Sequence, residues 1–297
     1  LSSSLHATSG NLVVLAARVP DVPGPWLHDA MDSVRYVDVF SGTPFKGNAL
    51  AVFHGADGLS DEQMADIARW TNLSETTFLM TPTDPAADYG VRIWTTGGEL
   101  PFAGHPTLGS AHAWLEAGGV PATEGVVVQQ CAAGLVPVRR GDRLAFAAPP
   151  LMRSGPVEQT EAEALVSALG LDPEDVVEMA WVDNGPGWAG ILLRSPDAVL
   201  AADPDAGRCR GVKVGLVAVY PQGSRADGVA AEVRAFYSDG REFAEDPVTG
   251  SLNAGLAQWL VPAGHLPPQY VAAQGTVIHR EGRVHVDVVD SEVWVGG

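Results

Sequence analysis

Glu75 is the side chain in this sequence that is best placed to move a proton. It lies in the segment from Asn72 to Phe78, between the end of a predicted helix and an apolar strand, so the fold can draw it into the interior. Burial raises the pKa of a carboxyl group and makes it a proton carrier near neutral pH. An exposed glutamate at the edge of a strand is the alternative that the same letters allow.

A second candidate is the turn from Pro101 to Pro106, which leads into another predicted helix. Gly104 allows a close approach of the backbone, and the amide groups at a helix start are available to bind an anion. His105 could donate a hydrogen bond to a substrate oxygen or exchange a proton with it. A histidine that only caps the helix would give the same sequence.

The third candidate is the acidic turn before a later predicted helix, residues 245–251. Asp246 could hold His105 or a substrate hydroxyl. Gly250 and Ser251 could offer an amide and a hydroxyl to a substrate carboxylate at the helix start. An Asp-Pro turn followed by a threonine N-cap is the structural alternative, and it is compatible with the functional interpretation.

Two of these segments belong to an internal repeat, residues 91–113 and residues 233–254. With one residue dropped from the second copy, His105 stands opposite Asp246. A polar residue that varies at the centre of a long repeat indicates two related half-molecules that contribute unlike groups to a shared site. A chance similarity between two strand–turn–helix units is the alternative.

The size and charge of the chain narrow its class. Its 297 residues are enough for two domains with cores of their own, and 46% hydrophobic with 18% charged residues is typical of a soluble globular protein. A net charge of −18 repels phosphate backbones and anionic membrane surfaces, which argues against nucleic-acid and membrane partners. A small anionic substrate is still compatible, because a helix start can reverse the local field.

The cysteines and the motifs that the sequence lacks indicate the location of the protein and its need for cofactors. Cys131 and Cys209 show neither disulfide nor metal-ligand spacing, which favours a reducing, cytoplasmic location. No apolar run approaches the roughly 20 residues that span a bilayer. The sequence has no phosphate-binding loop, no dinucleotide-binding glycine motif and no HExxH zinc motif. We therefore predict neither a cofactor nor a metal.

Short strands dominate the predicted secondary structure, one of them over residues 276–279. Helices are predicted over 60–71, 106–117, 160–169 and 250–260, and capping boxes open the first (Ser60 with Gln63) and the third (Thr160 with Glu163). The two repeated helices are the most apolar, so each is predicted to be central and wrapped by a sheet. Strands and helices do not alternate regularly, which argues against a doubly wound parallel sheet.

Prolines at 149 and 150 mark a predicted boundary. We predict an extension of unknown role over residues 1–33, an N-terminal half over 34–150 and a C-terminal half over 151–297.

These motifs resemble those of the PhzF family, the phenazine biosynthesis-like proteins. The matching stretches follow the family's order over roughly residues 34–297, and include residues 37–40, 44–48, 72–78, 99–109, 245–251 and 274–275. The resemblance implies an α+β, diaminopimelate-epimerase-like fold of two similar halves. Each half would be a curled, mostly antiparallel sheet around a central helix, with the site in the cleft between them. It also implies a homodimer.

The resemblance assigns roles to individual residues. It implies that Glu75 moves a proton between carbons of the substrate, and that His105 and Asp246 bind and orient that substrate. Cys131 and Cys209 lie outside the motifs, which argues against a two-thiol racemase. The substrate-binding residues that it implies are Gly104, Gly250, Ser251 and Asn48.

The leading hypothesis is a cofactor-independent isomerase of secondary metabolism. Its substrate would be small, unsaturated and carboxylate-bearing, either cyclic or amino-acid-like. Glu75 would remove a proton from one carbon and return it to another on the same face. A non-catalytic small-molecule-binding protein on the same fold is the alternative from another class. An epimerase that uses Glu75 is a third hypothesis, and inversion at the labelled carbon would distinguish it.

Overall fold

The computed structural model describes residues 33–238 and 243–297, and before them the strands Leu5–Ala7 and Val13–Ala17. The chain divides into two compact units. Unit 1 comprises residues 1–147 with Gly296 and Gly297, and unit 2 comprises residues 148–295. None of the described helices is long and apolar enough to cross a membrane.

In unit 1, the described residues form one mixed sheet and two α-helices. Strands β1 to β6 pair in chain order, β6 continues to β8, β9 and β10, and β7 forms a hairpin with β6. The β4–β5 and β6–β8 pairs are parallel and the others are antiparallel. The elements are β1 (Leu5–Ala7), β2 (Val13–Ala17), β3 (Ser33–Val39), β4 (Asn48–His54), α1 (Asp61–Thr71), β5 (Glu75–Met80), β6 (Tyr89–Thr95), β7 (Gly98–Leu100), α2 (Gly104–Glu116), β8 (Val126–Cys131), β9 (Gly134–Arg140) and β10 (Leu144–Ala147).

Helix α2 is the core of unit 1. Nine of its 13 residues are buried, and it packs against β3, β4, β5, β6, β8, β9 and β10. A Cβ on Gly109 would lie 2.6 Å from Leu50 Cδ2, so glycine permits the close approach of this helix to β4. Its buried hydroxyls find partners on the sheet, because Ser110 Oγ donates to Thr77 Oγ1 over 2.9 Å and Gln129 Nε2 donates to Thr107 Oγ1 over 2.8 Å.

Unit 2 repeats this pairing scheme. In its described residues, β12 to β15 pair in chain order, β15 continues to β17 and β18, and β16 forms a hairpin with β15. The β13–β14 and β15–β17 pairs are again the parallel ones. The elements are β11 (Arg153–Pro156), α3 (Gln159–Ala168), β12 (Val176–Asp183), β13 (Ala189–Leu193), α4 (Pro196–Ala201), β14 (Lys213–Val219), β15 (Val229–Ser238), β16 (Phe243–Asp246), α5 (Gly250–Leu260), β17 (Gln269–Gln274), β18 (Gly282–Val289) and β19 (Glu292–Gly296).

Helix α5 has the central position in unit 2 that α2 has in unit 1. Eight of its 11 residues are buried, and it contacts β12 and β18. The prediction of an α+β fold with two similar halves, each built around a central helix, is therefore confirmed.

The hairpins of the two units correct one detail of the repeat. In unit 1, Ile93 pairs with Leu100, and α2 begins four residues after Leu100 at Gly104. In unit 2, Ala235 pairs with Asp246, and α5 begins four residues after Asp246 at Gly250. Asp246 thus corresponds to Leu100 rather than to His105. The sequence alignment placed His105 opposite Asp246 because the second hairpin is longer by four residues.

This register gives His105 a different counterpart. His105 is the second residue of α2, and Ser251 is the second residue of α5. The two side chains therefore extend from the same position of equivalent helices.

Two local predictions were wrong. The predicted strand over residues 276–279 is a turn, because Gly275 has a φ of 88° and its carbonyl accepts hydrogen bonds from the amides of Ile278 and Arg280. The capping box at Ser60 is present, but α3 begins at Gln159 and not behind a Thr160 cap. Glu163 accepts from the Gln159 side chain instead, over 2.9 Å.

Candidate active site

Glu75 is the first residue of β5. Helix α1 ends just before it, with Asn72 in the left-handed conformation at a φ of 53°, and this turns the chain into the strand. Leu50 on β4 pairs with Glu75 in parallel register. The Glu75 side chain is 16% exposed, so the alternative of an exposed glutamate at a strand edge is wrong.

His105 lies beside this carboxylate. Its Nε2 is 3.5 Å from Glu75 Oε2, and the residue is only 4% exposed. Burial lowers the pKa of His105 to about 3, because an imidazolium would lose its hydration. The ring is therefore neutral at neutral pH, and its contact with Glu75 is not an ion pair.

Asn48 is the third side chain of this cluster. It is 2% exposed, and its Nδ2 lies 3.4 Å from His105 Nδ1. Asn48 begins β4, whose parallel pairing with β5 brings the starts of both strands to the same edge of the sheet. The start of α2 lies at this edge as well, which gathers Asn48, Glu75 and His105.

Asp38 fixes the turn that leads to Asn48. Its two carboxylate oxygens accept hydrogen bonds from the amides of Lys46 and Gly47, over 3.0 and 2.9 Å. A Cβ on Gly47 would lie 2.2 Å from the carbonyl oxygen of Val39, so only glycine fits this turn without a shift of the backbone.

Both central helices begin without a side-chain cap from their N-cap residue. Ala103 precedes α2 and has no polar side chain. Thr249 precedes α5, but its hydroxyl donates to Asp246 Oδ2 over 2.5 Å and makes no cap hydrogen bond. Thr249 is thus the N-cap residue that the structural alternative predicted, but its side chain does not cap a helix amide. Gly104 and Gly250 are the first residues of α2 and α5. The backbone amides at such a helix start, together with the helix dipole, favour the binding of an anion.

Asp246 ends β16, in a turn that Gln274 organises. Gln274 is fully buried. Its Nε2 donates to the carbonyl of Asp246 and to Thr249 Oγ1, over 3.1 and 2.9 Å. Its Oε1 accepts from the Thr249 amide and from Asn253 Nδ2, over 3.1 and 2.8 Å.

Ser251 is held by the loop between β12 and β13. Trp188 Nε1 donates to Ser251 Oγ over 3.0 Å, and Asn184 Nδ2 donates to the Ser251 carbonyl over 2.9 Å. Asp183 shapes that loop, because its Oδ1 accepts from the amides of Gly185 and Gly187.

The structure gathers the predicted residues in two groups. Asn48, Glu75, Gly104 and His105 lie together in unit 1, whereas Asp246, Gly250 and Ser251 lie together in unit 2. That both groups bind one substrate stays a prediction. Sequence reasoning missed the residues that position them, Asp38, Asn184, Trp188 and Gln274. Asp38 and Gln274 lie in stretches that the resemblance included, but no pattern marks Asn184 or Trp188.

Comparison with known proteins assigns the chain to a family. The profile of the phenazine biosynthesis-like protein family, PhzC-PhzF, matches residues 37–297. The chain belongs to this family. It is 33% identical to antisense-enhancing sequence 1 of Schizosaccharomyces pombe, over 89% of this chain and 95% of that protein. It is 35% identical to an uncharacterized isomerase of Pasteurella multocida, over 88% of this chain and 89% of that protein.

A shorter match has a higher sequence identity. The chain is 52% identical to the trans-2,3-dihydro-3-hydroxyanthranilate isomerase of Pseudomonas chlororaphis, over 25% of this chain and 27% of that enzyme. Among solved structures, a PhzF-family protein of Enterococcus faecalis superimposes with a TM-score of 0.72 at 25% identity, over 89% of this chain and 94% of that one. The chain is accordingly an isomerase of the PhzF family, with the diaminopimelate-epimerase-like fold.

Proposed function

We propose that this isomerase moves a proton between two carbons of a small, unsaturated, carboxylate-bearing substrate, without a cofactor, and that Glu75 carries the proton. The observation that carries the proposal is the contact between Glu75 and His105. A mostly buried carboxylate lies 3.5 Å from a neutral imidazole, beside the uncapped start of α2. A neutral ring can share hydrogen bonds with a carboxylate and a substrate without neutralising the carboxylate as a base.

The reaction needs one group that acts twice. Ionised Glu75 accepts a proton from a carbon next to the double bond, and the electron pair of the broken C–H bond moves into the conjugated system. Amide groups at a helix start stabilise the negative charge that develops on the substrate carboxylate. Protonated Glu75 then delivers the proton to a second carbon on the same face, the double bond shifts, and the carboxylate is restored.

For unit 2 we propose substrate binding rather than proton transfer. Ser251 offers a hydroxyl, Gly250 offers an amide, and Asp246 can accept a hydrogen bond from a substrate hydroxyl or ammonium group. The name of the Pseudomonas chlororaphis relative supports the substrate class, because a dihydro-hydroxyanthranilate is a cyclic, unsaturated amino acid. The description of the family, phenazine biosynthesis-like protein, supports a role in secondary metabolism.

The test uses trans-2,3-dihydro-3-hydroxyanthranilate as the probe, incubated with the protein in D₂O and followed by NMR. We expect the double bond to shift. Glu75→Gln should lower the rate by about 10²–10⁴-fold, because it cannot accept the proton. Glu62→Gln, in the exposed first turn of α1, is the matched control and should keep the wild-type rate.

Three results would count against the proposal. Near-full activity of Glu75→Gln would remove Glu75 from the reaction. Inversion at a carbon without a double-bond shift would indicate an epimerase. If cyclic dienyl carboxylates and amino acids bind but none is turned over, a non-catalytic binding protein is the better description.

A further inference from the structure

The hydrogen bond between Asn48 and His105 has a fixed direction. A side-chain amide nitrogen can only donate a hydrogen bond. Because Asn48 Nδ2 is the atom 3.4 Å from His105 Nδ1, the ring nitrogen must be the acceptor and carries no proton. A neutral imidazole has one N–H, so the proton of His105 is on Nε2.

The other side of the ring is consistent with this tautomer. His105 Nε2 lies 3.5 Å from Glu75 Oε2 and makes no hydrogen bond to any residue in the described parts of the chain. With the proton on Nε2, an N–H faces the carboxylate. With the proton on Nδ1, two N–H groups would meet at Asn48 and two lone pairs would meet at Glu75. Both contacts therefore favour the Nε2–H form.

Unit 2 contains a similar arrangement. Trp188 immediately precedes β13, and its indole N–H donates to Ser251 Oγ over 3.0 Å. An indole nitrogen also can only donate, so Ser251 accepts and its own hydroxyl proton points elsewhere. In each unit, an N–H group at the start of a parallel strand pair thus contacts the second residue of the central helix.

We propose that Asn48 is a positioning residue that holds His105 in the Nε2–H tautomer, so that the imidazole presents a donor towards Glu75 and the reacting part of the substrate. The tautomer follows from the contacts in unit 1 alone, whereas its catalytic value rests on the proposed function. In this form His105 stabilises the ionised Glu75 carboxylate and does not compete with it for the substrate proton. Asn48 acts through His105, a role distinct from direct substrate binding.

The experiment reads the tautomer without any substrate. Protein labelled with ¹⁵N-histidine is examined by long-range ¹H–¹⁵N correlation at neutral pH, and His105→Gln identifies the His105 signals. Wild-type protein should show the proton on Nε2. Asn48→Asp has the same shape but presents a carboxylate acceptor, so His105 should gain a proton on Nδ1. Asn72→Asp introduces the same change at the exposed end of α1 and should leave the tautomer unaltered.

A wild-type spectrum with the proton on Nδ1 overturns the proposal even if no variant folds. An unchanged Nε2–H signal in folded Asn48→Asp overturns it as well. Asn48→Ala is the second variant. It leaves only the Glu75 contact to favour the proton on Nε2, so part of the His105 population should shift to the Nδ1–H form.

Kinetics with trans-2,3-dihydro-3-hydroxyanthranilate then separate the two proposals. A histidine in the wrong tautomer can lower kcat by as much as about 10⁴-fold, and we expect Asn48→Asp to lower kcat by about 10²-fold or more with a smaller change in KM. An unchanged kcat would remove the positioning role. If the wild type does not turn over the probe, the proposed function fails while the spectra still decide the tautomer.

Discussion

Gln274 donates a hydrogen bond from its Nε2 to the carbonyl of Asp246 over 3.1 Å, and so ties the end of β16 to the end of β17. The same nitrogen also donates to the Thr249 hydroxyl oxygen. The side-chain oxygen of Gln274 accepts from the Thr249 amide and from the Asn253 side chain. One buried side chain therefore fixes the geometry of the whole turn before α5.

We expect Gln274→Leu to lower the free energy of unfolding by about 3–5 kcal/mol, because it leaves several buried polar groups without partners at about 1–3 kcal/mol each. Urea denaturation measures this loss. Gln269→Leu is the matched control on the same strand, where the exposed side-chain amide donates to Asp287. That variant should change stability by about 0.5 kcal/mol or less. Equal losses in both variants would contradict the role of Gln274.

The stability should depend on pH through His105. Because its pKa is lowered from 6.5 to about 3 in the folded state, the unfolded chain binds a proton that the folded chain does not bind between these values. Stability must therefore fall as the pH falls through this window. His105 alone should cost about 2 kcal/mol between pH 7 and pH 5. Burial and Arg35 lower the pKa of His54 to about 4, which acts in the same direction.

Denaturation of the wild type and of His105→Gln at several pH values checks this prediction. The free energy of unfolding should fall less steeply in the variant, since it lacks one of the groups that must be protonated on unfolding. Parallel pH profiles would show that His105 titrates normally in the folded protein.

Gly47→Ala should damage both stability and activity. The added Cβ meets the Val39 carbonyl oxygen at 2.2 Å, so the turn must shift and take Asn48 with it. We expect a loss of about 2–4 kcal/mol and a clear fall in kcat. Gly97→Ala is the matched control in unit 1, where the nearest atom is a side-chain oxygen 3.6 Å away. It should keep the activity of the wild type, and a similar fall in kcat would contradict the steric argument.

Arg234 and Glu245 should be strongly coupled. The guanidinium is 4% exposed, pairs with both carboxylate oxygens of Glu245, and donates to the carbonyl of Ala202 at the end of α4. Arg234→Met leaves a buried carboxylate without its charge partner, and should cost about 3–5 kcal/mol. The double variant Arg234→Met with Glu245→Met should lose less free energy of unfolding than the sum of the two single losses. Additive losses in the double-mutant cycle would show that the two side chains do not interact.

Local chemistry was predictable from the sequence. Ser60 and Gln63 lie three residues apart and form their capping box in the structure. The β-branched residues after Gly275 were misinterpreted as a strand, because the left-handed glycine that turns the chain there leaves no signature beyond its own letter.

Motif resemblance nominated Glu75 and His105, but not the distance between them. Their contact depends on the register of β5 against β4, in which Leu50 faces Glu75, and a single sequence does not specify such pairings. The contact of Trp188 with Ser251 likewise depends on the folded structure. A tryptophan before an apolar strand looks like core, and only the folded loop shows that its N–H reaches Ser251.

The sequence alignment of the two repeat copies was wrong at the hairpin, where it allowed for a length difference of one residue. The backbone pairing shows a hairpin four residues longer in unit 2, followed by the same interval to the helix as in unit 1.

The constant interval of four residues indicates where the chain can accept insertions and where it cannot. The length of the hairpin can change without moving the start of the central helix, because the four extra residues of unit 2 lie between the paired residues Ala235 and Asp246 and not between Asp246 and Gly250. Insertions should thus be tolerated next to Gly97 and forbidden between Leu100 and Gly104, which makes the hairpin tip the natural position for a peptide tag or an inserted domain.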